Sequence, residues 1–146
     1  MHPLQFLVPL DQLAAVEPVI PFAILALVLA NFATRFLAHR SHVKQANDGA
    51  DELSRFLPHS FTSGGLVLVS FLYLLVEPHG GMVMTVLVVG MFLTDFFEFE
   101  ARNVEARNDR PLDRPNGGLT ASVLVLLYAA YQSLFFLVAD VWNAVI

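Results

Sequence analysis

The chain has 146 residues, of which 56% are hydrophobic and 14% charged, and its formal net charge is −5 at pH 7. A soluble domain carries about 25% charged and about 45–50% apolar residues, so an ordinary cytosolic domain and a disordered chain are excluded, and an integral membrane protein remains. The absence of cysteine excludes disulfide, iron–sulfur and thiol chemistry, and the negative charge makes nucleic acid and anionic lipid headgroups poor partners for the molecule as a whole.

Residues 1–16 contain no lysine or arginine, so we expect no cleaved secretory signal, which would need a positive region before its apolar stretch. Several apolar residues of this stretch alternate with Gln5, Asp11 and Gln12, and Pro9 interrupts the pattern. We expect either a loosely ordered tail outside the cell or a short amphipathic segment that lies along the membrane interface.

Four apolar stretches follow, each with the roughly 17–25 residues that a transmembrane helix needs. The sequence predicts membrane spans at about 17–37, 59–76, 81–97 and 118–139. Too little chain remains to cover four such helices as the core of a soluble protein. The predicted fold is therefore all-α, a polytopic membrane protein whose single domain, 1–146, is a bundle of four transmembrane helices.

The basic residues predict the orientation of these spans, because cytoplasmic loops carry an excess of lysine and arginine. All eight lie in or beside two segments, with Arg35, Arg40, Lys44 and Arg55 near the first and Arg102, Arg107, Arg110 and Arg114 in the second. We therefore predict that 38–58 and 98–117 are cytoplasmic loops of a cell-membrane protein. Both termini and the short turn after the second span then face outside.

Two further patterns concern the surfaces of the spans. Glu98, Arg102 and Glu105 recur at helical spacing, so the third span is predicted to continue beyond the membrane until Pro111 stops it. Small residues mark the places where transmembrane helices meet. On this basis we predict contact stripes on the first and fourth spans, formed by Ala26, Ala30, Thr34 and Ala38 and by Ala121, Ala129 and Ser133.

Polar side chains inside the spans are costly unless they are paired, which makes them candidate site residues. Arg35 and Asp95 lie at the cytoplasmic ends of two spans that run in the same direction, so they share one depth. We expect a structural ion pair between them; the alternative is that each side chain reaches the headgroups separately. Asn31 lies one turn before Arg35, and Tyr128 and Gln132 fall near the membrane centre, where Gln132 is expected to form hydrogen bonds between helices.

Metal and catalytic chemistry have little support in the residue pattern. His39, His42 and His59 are candidates for a zinc or copper site because all three are predicted near the same, cytoplasmic surface. They are weak candidates, since a histidine at a membrane interface is more often a plain polar residue. The sequence contains no phosphate-binding glycine loop with a lysine, no nucleophile elbow and no His-Glu-x-x-His motif. We therefore predict no catalytic residue, no enzyme activity, no cofactor and no nucleic-acid partner.

A single lysine among the eight basic residues, acidic loops and the absence of cysteine are typical of haloarchaeal proteins. In composition and layout the whole chain resembles the small, uncharacterised four-helix membrane proteins of haloarchaea, a domain family of unknown function, and this resemblance implies no activity. The leading hypothesis is a non-catalytic structural or accessory subunit whose partners are the lipid bilayer, other membrane subunits or a second copy of itself. The alternatives are a small oligomeric transporter or channel, lined by Asn31, Asp95 and Gln132, and a metal-binding membrane assembly factor.

Overall fold

The computed structural model describes residues 7–146, and within this range every regular element is a helix. In chain order these are α1 (Leu10–Ala15), α2 (Ile20–Asn47), α3 (Leu57–Val76), α4 (Pro78–Arg107), α5 (Asn116–Leu134) and α6 (Ala139–Val145). In the described part of the chain, four helices are long and apolar enough to cross a membrane, so the predicted fold class is confirmed. Of the predicted N-terminal segment, residues 1–6 lie outside the described residues.

The four long helices form an antiparallel bundle in which each packs against its neighbours in the chain and α5 packs back against α2. Consequently α2 and α4 lie diagonally opposite each other. The interior is apolar over much of its length, with fully buried side chains from Ile24, Val28, Leu66, Met84, Val88, Met91 and Val125. We call the end where α2 and α4 finish and α3 and α5 begin the basic end, because the arginines lie there.

The segments predicted as cytoplasmic loops are largely helical. The extension of α4 to Arg107 agrees with the predicted continuation of the third span, but α2 also continues, ten residues beyond the predicted limit at 37, to Asn47. No glycine or proline interrupts the sequence after this limit until Gly49, whose φ of 90° is incompatible with a right-handed helix. The non-helical connections are therefore only 48–56 and 108–115.

A second, smaller core lies at the basic end, between the extensions of α2 and α4. Leu53, Phe99 and Ala106 are buried together there. The backbone N–H of Leu53 donates a hydrogen bond of 2.7 Å to Oδ1 of the buried Asn103. The 48–56 connection is therefore packed onto the helices by its own apolar side chain and by a buried backbone hydrogen bond.

The face of α2 that enters the bundle differs from the predicted small-residue stripe, because Ala26 and Ala30 are exposed. Of the predicted stripe Ala38 is buried, and the other interior-facing side chains are larger or polar: Ile24, Val28, Asn31, Arg35 and His42. Burial of the polar groups against partners on the other helices sets the rotation of α2. On α5 the predicted stripe is confirmed at Ala129 and Ser133, which are buried at the helix contact.

Helices α3 and α4 approach very closely at the end of the bundle opposite the basic end. Only Glu77 separates the two helices, and a Cβ atom on Gly81 would overlap the backbone of Leu74. Glycine at this position therefore permits a contact that any side chain would prevent. The hairpin formed by the second and third spans is held together by backbone packing.

The fourth span is shorter as an α-helix than the predicted 118–139. Helix α5 gives way to a 3-10 turn at Phe135–Leu137, and α6 begins at Ala139. The Phe135 ring lies between those of Tyr131 and Trp142, with centroid distances of 5.4 and 6.3 Å. These aromatic contacts stabilise the 3-10 turn that joins α5 to α6.

Candidate functional site

The principal buried polar contact joins Arg35 on α2 to Asp95 on α4. Nε and Nη2 of Arg35 donate hydrogen bonds of 3.2 and 2.6 Å to Oδ1 and Oδ2 of Asp95. The side chains are 2% and 16% exposed, respectively. Because α2 and α4 are diagonal, the long Arg35 side chain crosses the bundle interior to bring its guanidinium to the Asp95 carboxylate. This bidentate geometry is among the strongest that an arginine and a carboxylate can form.

The other two long helices each add one side chain to this pair. Nη1 of Arg35 donates to the hydroxyl of Ser122 on α5, and that hydroxyl donates in turn to the Gly118 carbonyl at 2.6 Å. Nε2 of His59 on α3 lies 3.2 Å from Oδ2 of Asp95. We call Arg35, His59, Asp95 and Ser122 the four-helix polar cluster. The sequence singled out His59 only as a metal candidate and did not single out Ser122.

A line of polar side chains between α2 and α3 supports His59. The fully buried Asn31 donates to the hydroxyls of Thr62 and Ser63 at 2.9 and 3.0 Å. The hydroxyl of Thr34 lies 2.9 Å from Nδ1 of His59. Both ring nitrogens of His59 are therefore engaged, one by Thr34 and one by the cluster carboxylate, which fixes the orientation of the ring.

The backbone of Gly118 lies against the cluster. Its N–H, in the first turn of α5, donates a hydrogen bond of 2.6 Å to Oε1 of Glu98, so this carboxylate satisfies one of the free donors at the helix start. A Cβ atom on Gly118 would overlap the Asp95 carboxylate and the Arg35 guanidinium. Sequence reasoning did not identify this role; the glycine pair at the start of an apolar stretch was the available signal.

A cavity of about 480 Å³ lies next to the four-helix polar cluster, and we call it the arginine cavity. Its lining contains three arginines and a single carboxylate, together with several phenylalanines. The lining residues are Arg35, Ala38, His42, Arg55, Phe56, His59, Ser60, Ser63, Phe92, Asp95, Phe96, Phe99 and Arg102. The cavity is thus both cationic and aromatic.

The three histidines considered for a metal site have separate environments. Nε2 of His42 lies 3.1 Å from the Ser54 carbonyl, and its Nδ1 faces a guanidinium, that of Arg102, at 3.4 Å. His59 belongs to the polar cluster, and His39 does not line the arginine cavity. Between residues 7 and 146 no three His, Asp or Glu side chains are grouped in a way that could hold a metal ion. The structure therefore does not bring the three candidate ligands together.

Gln132 joins α3 to α5 at the end of the bundle opposite the basic end. Tyr73 donates to its Oε1 at 3.1 Å, and its Nε2 donates to the Tyr128 hydroxyl at 2.8 Å. The hydrogen bond that Gln132 was expected to form between helices is therefore present. A Cβ atom on Gly80, in the first turn of α4, would lie 3.3 Å from Nε2 of Gln132, and α5 ends two residues later, so the amide lies near the helix ends.

The comparison with protein families gives one match. A family model described as a domain of unknown function, DUF7313, covers residues 2–146. The chain belongs to this family. The predicted resemblance to a family of unknown function is thereby confirmed at that level, and the DUF7313 domain includes all four long helices, the four-helix polar cluster and the arginine cavity. No curated protein and no solved structure matches this DUF7313 chain.

Proposed function

We propose that this DUF7313 protein is a non-catalytic structural or accessory subunit of the cell membrane. The observation that supports the proposal most directly is the mutual bonding of the buried charges, because Arg35 and Asp95 use their hydrogen-bonding groups to hold four helices together. Groups that act on a substrate usually keep free hydrogen-bonding capacity at a cleft. Arg35, His59 and Asp95 line the arginine cavity, but each of them is hydrogen-bonded to another member of the four-helix polar cluster.

The distribution of polar groups favours this role over a transporter. Asn31 and Asp95 lie towards the basic end, whereas Gln132 lies at the opposite end. The intervening layer is built mainly from apolar side chains, including the fully buried Val28 and Met91, and Ser70 is a buried polar side chain within it. A polar route for a solute through a single bundle would have to cross this layer. Many transporters place broken helices at their binding sites.

The outward surface of the bundle supports contact with lipid or with other membrane subunits. Large apolar side chains on all four long helices are exposed, including Leu29, Leu68, Val86 and Leu127. These positions lie within the apolar stretches, where water-facing leucine and valine would be unfavourable. The bilayer, a partner subunit or a second copy of the chain would cover them.

We also propose that both termini lie outside the cell and that the 48–56 and 108–115 connections are cytoplasmic. All eight lysines and arginines lie at or near the basic end, which supports this orientation. The single lysine and the absence of cysteine support a haloarchaeal origin.

The test is purification from the native membrane in a mild neutral detergent after brief crosslinking, with mass-spectrometric identification of the bound subunits. A discrete partner or homo-oligomer at fixed stoichiometry, retained in Asp95→Asn, is the expected result. Solute flux in liposomes that Asp95→Asn abolishes would instead establish a transporter. Stoichiometric metal that survives chelation would establish the assembly-factor alternative.

A further inference from the structure

We propose that the arginine cavity binds the phosphate headgroup of an anionic membrane lipid. This site is separate from the subunit role proposed above, because it requires no partner protein. It rests on a buried guanidinium that lacks an acidic partner, on the excess positive charge of the cavity and on its aromatic rim.

Arg102 on α4 lies in the wall of the cavity and is only 8% exposed. In the described range 7–146, no carboxylate forms an ion pair with it. Its recorded hydrogen bond is a long one, 3.4 Å from Nη1 to Nδ1 of His42, which is a neutral acceptor in this arrangement. A buried charge is strongly unfavourable unless it is paired and hydrogen-bonded, and the carboxylates near Arg102 act on it only from beyond ion-pair distance. An anion from outside the chain would therefore stabilise this guanidinium.

The carboxylates near Arg102 are already engaged by other groups. Asp95 is bound by Arg35, and Glu98 accepts the Gly118 N–H. Glu105 accepts the backbone N–H of Asp113 at 3.0 Å. Among residues 7–146, none of these carboxylates lies within ion-pair distance of the Arg102 guanidinium.

The cavity combines a buried cationic floor with an open rim. Arg102 and Arg35 are buried, whereas Arg55 is 49% exposed and lies 4.3 Å above the Phe99 ring. Asp95, the only carboxylate in the lining, is paired with Arg35, so Arg102 and Arg55 supply the lining's excess of two positive charges when the histidines are neutral. Glu100, which does not line the cavity, lies 3.8 Å from Arg55. Guanidinium groups bind phosphate oxygens through paired hydrogen bonds, and the volume lies within the roughly 300–1,000 Å³ of small-ligand sites.

The rim favours a lipid over a free phosphate ion. Phe92 and Phe96 line the cavity, are both 41% exposed, and fall in the apolar stretch of α4 predicted to lie in the membrane. An apolar chain attached to the phosphate would cover these rings. Basic pockets between transmembrane helices on the cytoplasmic side are known to bind anionic headgroups. The cavity thus offers a positively charged site for an anionic headgroup, although the net charge of the whole chain is −5.

The experiment is native mass spectrometry of the full chain in neutral detergent, titrated separately with phosphatidylglycerol, phosphatidylcholine and inorganic phosphate. We expect one phosphatidylglycerol per chain at saturation and no comparable binding of phosphatidylcholine. Arg102→Gln should weaken the phosphatidylglycerol complex about tenfold, as expected for loss of a charge-assisted contact. The matched control is Arg107→Gln, because Arg107 is an exposed arginine on the same helix and should leave the affinity unchanged.

A second variant keeps the test decisive if Arg102→Gln does not fold. Arg55→Gln changes a half-exposed side chain at the rim and should also weaken the phosphatidylglycerol complex. Unchanged affinity in both arginine variants, or equal affinity for phosphatidylcholine, would overturn the proposal. Saturation by inorganic phosphate at the concentrations that suffice for phosphatidylglycerol would overturn the lipid assignment and establish a free-oxyanion site.

Discussion

Arg35 and Asp95 are joined by a bidentate ion pair across the diagonal of the bundle, between two helices whose backbones do not pack against each other. The ion pair therefore links two helices that are not neighbours, from inside the bundle. His59 and Ser122 contribute from the remaining two helices, so one cluster holds all four long helices at the same level.

Removal of either charge should destabilise the bundle. We expect Arg35→Leu and Asp95→Leu each to lower the free energy of unfolding in detergent by roughly 1–3 kcal/mol, because the remaining charge is left unpaired in an apolar setting. The double variant should lose less than the sum, with a coupling energy of roughly 0.5–3 kcal/mol.

The matched control for this cycle is Arg40→Leu combined with Asp95→Leu. Arg40 is an exposed arginine on the same helix, and it makes no ion pair among residues 7–146. Its effects should add to those of Asp95→Leu. If the changes in unfolding free energy of Arg35→Leu and Asp95→Leu also add in the double variant, the buried pair contributes no coupling energy.

Gly81→Ala should loosen the hairpin of α3 and α4. The added methyl group would overlap the Leu74 backbone, and overpacking of this kind typically costs about 1–3 kcal/mol. Gly90→Ala is the control on the same helix, because no atom lies within 4 Å of its Cβ position. That change should be neutral or stabilise by up to about 1 kcal/mol through helix propensity. Equal unfolding free energies for the two variants in a detergent titration would contradict the close approach.

Glu98→Ala should weaken the start of α5. Loss of a carboxylate at a helix N-terminus costs about 1 kcal/mol, and the Gly118 N–H should exchange faster with solvent deuterium. Glu100→Ala serves as the control, because Glu100 is half exposed and its contact with Arg55 is long, at 3.8 Å. Unaltered exchange in the first turn of α5 after Glu98→Ala would show that the cap is not formed.

The absence of native cysteine makes the orientation directly measurable. Single cysteines at Asp51 and Arg110 should be protected from an impermeant thiol reagent in intact cells, and one at His79 should be labelled. All three native side chains are exposed, and Asp51 avoids the positive φ of Gly49. Labelling at Asp51 and protection at His79 would reverse the proposed topology.

The fold class was predictable from sequence because apolar stretches of transmembrane length leave few alternatives. The partnership of Arg35 and Asp95 could be expected for a related reason, since opposite charges at the same depth inside a membrane protein gain from pairing. Helix rotation was harder to predict. On α2 the alanines at Ala26 and Ala30 gave a plausible contact stripe, yet the polar residues determined which face entered the bundle.

Other parts of the site depend on distances that the sequence does not contain. Ser122 and Gly118 become important only because α5 lies beside the crossing Arg35 guanidinium. The arginine cavity similarly requires that the 48–56 connection fold back, which depends on one leucine, Leu53, and one buried amide, Asn103. Neither residue has a distinctive pattern in the sequence.

The hairpin has a consequence for biogenesis. Arg35 precedes Asp95 by 60 residues, so its ion pair can form only after α4 has been synthesised. The second and third spans, joined through Glu77, can then insert together and carry His59 and Asp95 to the same end. In the folded bundle the carboxylate that this hairpin carries is the one that neutralises Arg35.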